Sequence, residues 1–285
     1  MKIFKKKWIL IFLTTAILIG LCFFILRNYK IGFFAKDSTK IAWVTDIHAD
    51  RFKKRDVDSG KIYPKQYKIY LPKVFDVLKS NNIDVVIATG DNTNSGDNNY
   101  AIDLAKITKE KKMDVIWVKG NHDKDEVMKT LGVSKNYYFK DYGDTRVIVL
   151  DSTEYPNGEY DYLGGISQEQ LEWLRKTIKT KKEVIVAMHM PIFEQDITSI
   201  NIHDLKGKFE GVGDILERYV ELEKIFHENA NVKMVLSGHW HVSWQKEYNG
   251  IKYYGEGALT RNGEEGAYAT IDLEKKFTVE YKFAK

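Results

Sequence analysis

The chain has 285 residues, 44% of them hydrophobic and 29% charged, which is enough to bury a full core in one domain. Its one cysteine, Cys22, excludes a disulfide framework and a cysteine-ligated zinc site. The net charge of +4 belongs to the N-terminus: residues 1–30 carry six cations and no acid, leaving 38 basic against 40 acidic residues, a net of −2 that argues against a basic nucleic-acid binder.

Residues 1–7 form a basic tail, and residues 8–26 follow as 19 uncharged residues interrupted only by Thr14, Thr15 and Gly20. As a helix rising about 1.5 Å per residue this run covers roughly 28 Å, close to the hydrocarbon thickness of a bilayer. The sequence therefore predicts one transmembrane anchor over 8–26, a linker over 27–40 and a globular domain over 41–285. A secretory signal has a shorter apolar core, about 7–15 residues, ending in a small-x-small site. Here Phe33 stands where the Ala35 junction wants a small residue, and Leu21-Cys22 does not fit a lipoprotein signal. Secretion after cleavage is the alternative to anchoring. Four lysines and the amino terminus precede the run, against Arg27, Lys30 and Lys36 after it, which predicts an extracytoplasmic domain on a single-pass anchor.

From Ile41 the chain alternates apolar runs with helical patterns, the mark of an α/β fold. IAWVT runs into Asp46 and His48, and VVIAT into Gly90-Asp91. Between them Pro72 is expected to open a helix over 72–79, with Val74, Phe75 and Leu78 inward. The asparagine-rich stretch 92–99 reads as a site loop because it follows a ligand-type residue directly. VIWVK leads to Gly120-Asn121-His122-Asp123, with 137–139 and 146–150 as further strands. Ser167-x-x-Gln170 and Asp214-x-x-Glu217 are capping-box patterns, and Ile215, Tyr219, Leu222 and Phe226 form a helical stripe. VIVAM ends at His189, and KMVLS at Gly238-His239-Trp240-His241. Strands are expected at 251–255, 267–273 and 277–283.

Five strand endings supply Asp, His and Asn, donors suited to Mn, Fe and Zn, and an open α/β sheet gathers its ligands at the carboxyl ends of its strands. These blocks, in the order D-x-H, G-D, G-N-H-D, a single His and G-H-x-H, resemble the calcineurin-like metallophosphoesterase superfamily over residues 41–260. The stretch ISQEQLEWLRKTIK brings the chain nearest to the small bacterial cyclic-nucleotide phosphodiesterase branch. Related purple acid phosphatases carry a tyrosine three residues after the second-block Asp; here Asn94 stands there, so a tyrosinate-bound ferric centre is not expected.

The resemblance implies a four-layer αββα sandwich of two mixed sheets holding two ions, Mn or Fe foremost and Zn compatible. One ion would take Asp46, His48, Asp91 and His241, and the other Asp91, Asn121, His189 and His239. It implies hydrolysis of phosphate mono- or diesters by in-line attack of a metal-bridging hydroxide. His122 would act on phosphate and leaving oxygen, and Asp123 would fix its tautomer or cap the helix after it. Asp151 and His203 read as turn and loop residues and His227 as a helix-end residue, while Arg51, Lys53, Lys54 and Arg55 read as a solvated loop or a contact for an anionic substrate or lipid. A non-catalytic scaffold of the same fold, which should show gaps among the ligands, and a nuclease are the competing functions. No nucleic-acid partner is expected.

Overall fold

Alternation of period two gives the central strands two apolar faces. In β1 (Lys40–Val44), Ile41 and Trp43 lie on one face and Ala42 and Val44 on the other, all at most 1% exposed. Such a strand must be covered on both sides, so the chain has to build layers outside its sheets as well as between them. The computed structural model describes residues 40–57, 60–154, 164–192, 219–275 and 277–284.

The strands after β1 are β2 (Arg55–Val57), β3 (Gly60–Ile62), β4 (Val85–Ala88), β5 (Asp114–Trp117), β6 (Tyr138–Tyr142), β7 (Thr145–Val149), β8 (Glu183–Ala187), β9 (Val232–Ser237), β10 (Trp244–Tyr248), β11 (Ile251–Gly255), β12 (Ala267–Asp272) and β13 (Thr278–Phe283). One sheet has the order β13-β12-β1-β4-β5, with β1, β4 and β5 parallel and β12 antiparallel to both of its neighbours, β1 and β13. The other has the order β10-β11-β9-β8-β7-β6, with β7, β8, β9 and β11 parallel and an antiparallel strand at each edge. Ile41, Trp43, Ile87 and Ile116 of the first meet Val147, Val149, Ile185 and Leu236 of the second in a shared inner layer. The helices Tyr67–Ser80, Asn98–Lys111 and Asp125–Thr130 cover the outer face of the first sheet through Val74, Phe75, Leu104 and Val127. Gln168–Thr177 and Tyr219–His227 cover the second through Leu171, Leu174, Leu222 and Phe226. The described residues thus form the expected four layers.

Four departures from the sequence reading have local causes. Pro72 lies inside the helix Tyr67–Ser80 and does not open it, because the buried stripe Tyr67, Leu71, Val74, Phe75 and Leu78 runs straight through it. Packing outweighs the one backbone hydrogen bond that proline removes. The helix Asn98–Lys111, begun by Asp97 accepting from the Asn99 N–H at 2.9 Å, extends out of the asparagine-rich stretch. The hairpin β10–β11 turns at Asn249-Gly250, both at positive φ (49° and 79°), the residue pair that a type I′ turn favours. Only half of the first capping box forms. Ser167 Oγ accepts from the Gln170 N–H at 3.3 Å, while the Gln170 side chain spans the main chain of Asp151 instead.

Among the described residues no helix is long and apolar enough to cross a membrane. The 8–26 run, most of the linker, the 214–217 capping pattern, Ile215 and His203 lie outside the described residues.

Candidate metal centre

All five ligand-bearing blocks leave the carboxyl ends of parallel strands, and their loops stay laced together after the strands stop. The N–H groups of Asp46 and His48 donate to the carbonyls of Gly90 and Asp91 at 3.1 and 2.8 Å, and Gly238 N–H donates to His189 O at 3.0 Å. Two further bonds cross between the sheets. His189 Nδ1 donates to Thr89 O at 2.8 Å, and His239 N–H donates to Asp46 Oδ2 at 3.1 Å.

Asp46, His48, Asp91, His239 and His241 all have positive φ, between 46° and 71°. Non-glycine residues adopt that conformation at a cost, and they keep it where the surroundings impose it. The three block glycines show why the approach is so tight. A Cβ on Gly90 would stand 2.5 Å from His189 Nδ1, on Gly120 2.2 Å from Asp91 Oδ1, and on Gly238 2.6 Å from Asp46 Oδ2. Each glycine clears space for a ligand of a different block.

Four donor atoms from Asp46, His48, Asp91 and His241, all buried, lie within 4.8 Å of one another. His48 Nε2 is 3.0 Å from His241 Nε2 and 3.5 Å from Asp91 Oδ2, and His241 Nε2 is 3.2 Å from Asp46 Oδ1. On the other side of Asp91, His189 Nε2 lies 3.4 Å from Oδ1 and 2.9 Å from Asn121 Oδ1. The His239 ring packs edge-on to His189, centroids 5.1 Å apart. The two oxygens of Asp91 therefore face two separate donor groups.

The electrostatics suit a cation. Burial would raise the carboxyls of Asp46 and Asp91, yet neighbouring histidines, led by His241 and His189 respectively, hold both below the usual range. Burial opposes charge on His189 too, and the Asp91 and Asp46 carboxylates overcome it, pushing His189 up to about 9. Burial keeps His48 neutral, as a ligand must be. With its Nδ1 proton committed to Thr89 O, His189 holds its second proton on Nε2 between the carboxylates, and a cation that displaced that proton would meet the Nε2 lone pair. Nitrogen and oxygen donors around two buried carboxylates fit divalent transition ions.

His122 lies at the edge of this group, its side chain 25% exposed and Nε2 4.0 Å from Asp91 Oδ2. Its N–H donates to Asp91 Oδ1 at 2.9 Å, and its Nδ1 donates to the Asn94 carbonyl at 2.7 Å. Asn94 therefore fixes the tautomer, and Asp123 does not. Asp123 is 5% exposed, and its two oxygens accept from the N–H groups of Asn92, Thr93 and Gly120 and from the side chains of Asn92 and Thr93 at 2.8–3.1 Å. It ties the second-block loop to the third. Nor does it cap the helix Asp125–Thr130, whose N-cap position is Lys124. A five-bond anchor cannot be told from a catalytic acid by residue type alone.

Sequence reasoning passed over several supports. Thr45 Oγ1 donates to Asp46 Oδ2 at 2.7 Å, and Ser152 Oγ accepts from the His189 N–H at 3.1 Å. Asp151, outside the ligand group, accepts from Thr153 N–H at 2.9 Å and lies 3.6 Å from Lys119 Nζ. Arg55, read as part of a solvated loop, hydrogen-bonds the Asn94 side chain through Nη1.

The Calcineurin-like phosphoesterase family matches residues 39–243. The chain belongs to that family. Among curated relatives it is 25% identical over 184 residues to "3',5'-cyclic adenosine monophosphate phosphodiesterase CpdA" of Haemophilus influenzae, covering 61% of this chain and 60% of that one. It is 29% identical over 182 residues to a "Probable glycerophosphodiester phosphodiesterase GpdQ" of Arcobacter nitrofigilis, covering 57% and 63%. The match thus spans less than two thirds of these relatives' lengths. Among solved structures, a dimetal phosphatase from Danio rerio superposes with a TM-score of 0.65 at 13% identity, covering 86% of this chain and 99% of that one, a likeness of fold.

Within this calcineurin-like domain Glu256 is a further buried acid outside the ligand group. Glu256, 2% exposed at the end of β11, accepts from Ser243 Oγ at 3.1 Å and Gly257 N–H at 2.8 Å through Oε1, while Oε2 has no hydrogen-bond partner among the described residues. Burial, opposed by those two hydrogen bonds, pushes its carboxyl up to about 8 from an ordinary 4.5. The fold therefore favours the protonated form, and the stability it contributes is complete below about pH 4.5 and lost as pH rises towards 8.

Two outcomes follow. Glu256→Gln, which cannot ionise, should show a melting temperature that falls less than the wild type's between about pH 4.5 and 8, and parallel curves would refute the assignment. Gly238→Ala, which drives a methyl into Thr45 Oγ1 and Asp46 Oδ2, should keep the far-ultraviolet circular dichroism but bind less metal at one equivalent. Undiminished binding would show that the glycine is not needed for clearance.

Proposed function

We propose that the protein is a metal-dependent phosphoric ester hydrolase that acts foremost on phosphodiesters. The observation that carries this reading is the division of Asp91, with Oδ2 towards His48 at 3.5 Å and Oδ1 towards His189 at 3.4 Å, because a carboxylate divided in this way can serve two ions. One ion would be held by Asp46, His48, Asp91 and His241, the other by Asp91, Asn121, His189 and His239. Four histidines in the set favour Mn or Fe over Mg, with Zn compatible. Bound ions supply the positive charge that screens an anionic ester and makes water nucleophilic near neutral pH.

The chain's own residues do the rest. Nδ1 of His122 is committed to Asn94 O, so Nε2 is the atom that faces the centre, and when the ring carries a second proton there it can pass that proton to the departing alcohol oxygen. The Asp91 carboxylate, by accepting the His122 N–H, keeps that ring beside the ions' position. Asp123 and Thr45 hold loops and ligands in place and exchange no proton with substrate. The diester preference rests on the cyclic-nucleotide and glycerophosphodiester phosphodiesterases among the relatives. A scaffold role is disfavoured, since every ligand position and His122 is filled.

The purified protein, metal-replete, should contain two transition-metal ions per chain by elemental analysis. Asp91→Asn should lose more than one of them. His122→Ala should keep both while kcat on an alkyl phosphodiester falls by about 10²–10⁴, and by less on an aryl one whose leaving group needs no proton. At most one ion in the wild type, or loss of metal in His122→Ala, would overturn the respective assignment.

We also propose that residues 8–26 anchor the chain with the catalytic domain outside the cytoplasm, on the strength of the uncharged run and the lysines before it. Protease added to intact, wall-stripped cells should then release the domain. Protection until the membrane is permeabilised would place the active site inside.

A further inference from the structure

The loop leaving the first ligand block carries four cations in five residues, Arg51, Lys53, Lys54 and Arg55, and a chain of contacts links it to the ring of His122. Arg55 Nη1 hydrogen-bonds Asn94 Oδ1, Asn94 Nδ2 donates to Asp50 Oδ2 at 3.1 Å, and the Asn94 carbonyl accepts from His122 Nδ1 at 2.7 Å. Asp50 and Asn94 are 2% and 8% exposed, so the guanidinium of Arg55 is anchored on a buried pair and shares Asn94 with His122. The loop has a defined path. Lys65 N–H donates to Phe52 O at 2.9 Å, Arg55 pairs with Ile62 across β2–β3, and Tyr63 N–H donates to Thr260 O at 3.0 Å. Anchoring of this kind lowers the ordering cost of binding a ligand.

Among the described residues most of this loop's charge has no carboxylate partner. Lys54 pairs with Asp56 at 3.4 Å, whereas among the described residues no carboxylate pairs with Arg51, Lys53 or Arg55. Arg51 and Lys53 are exposed, and Arg55 is half-buried. A guanidinium using one donor on Asn94 retains others for a second acceptor.

We propose that Arg55, with Lys53 and Arg51, forms a subsite for a second anionic group on the substrate, so that the preferred ester carries a negative charge on the alcohol beyond the scissile phosphate. This rests on the hydrolase reading above and deepens it. The metals would read the scissile phosphate, and the basic loop would read the far end. An ester whose far end is neutral or cationic gains nothing there.

The test uses the full chain in nonionic detergent, loaded with Mn, and two product-like monoesters of similar size, 2-carboxyethyl phosphate and propyl phosphate, measured by titration calorimetry. The wild type should bind the carboxylated ester about tenfold more tightly at low salt, the order expected of one charge-assisted hydrogen bond, with the ratio shrinking as salt is raised. Arg55→Gln and, independently, Lys53→Ala should lower that ratio, and Lys54→Ala should not. The ratio cancels any general loss of fold or metal in Arg55→Gln, and Lys53 has no part in the Asn94 contacts. Equal affinity for the two esters in the wild type, or an unchanged ratio in both variants, would overturn the subsite and leave the hydrolase reading intact. Failure to bind either ester would remove both.

Discussion

Asp46 and Asp91 are carboxylates at most 2% exposed whose only ion-pair partners within the described residues are histidines. Two such charges cannot be buried in an α/β sandwich unless something positive meets them. The rest of the architecture answers that constraint. Parallel strands in both sheets end at one rim, each ending brings a nitrogen or oxygen donor, and the loops there accept strained backbone and glycine-only clearances. The inner layer, from Trp43 to Leu236, fixes the two rims against each other. What this layer contributes to function is therefore alignment.

The candidate ligands were legible in the sequence because each followed an apolar run and because strand polarity decides where a run's end must lie. His122 was legible for the same reason. What could not be read was the traffic of hydrogen bonds. Asp123 beside His122 looked like its partner, but adjacency in a tight loop does not place two side chains together, and the ring instead uses the carbonyl of Asn94, to which side-chain identity is irrelevant. The glycines could be read only as turn residues; that Gly90 makes room for His189, ninety-nine positions later, is a property of the assembled rim.

In the fold, the layers followed from runs apolar on both faces, whereas short or polar elements escaped. The pair β2–β3 has only three residues a side, and β10 shows its burial pattern only at Trp244. Its turn, Asn249-Gly250, did carry a local signal, so that strand was readable from its connection before its own residues. Pro72 went the other way. A residue with a strong local rule was overridden by a stripe of five buried side chains that no single position reveals.

The rim belongs to both sheets at once. Asp46, His48, Asp91 and Asn121 hang from the first, and His189, His239 and His241 from the second. Ions held there would act as rivets through two plates, and pulling them out would strain the seam between the plates before it disturbed either one. Stability of the sandwich and occupancy of its mouth would then be thermodynamically linked. The cell's supply of transition metal would set how long the folded domain lasts as well as how fast it works.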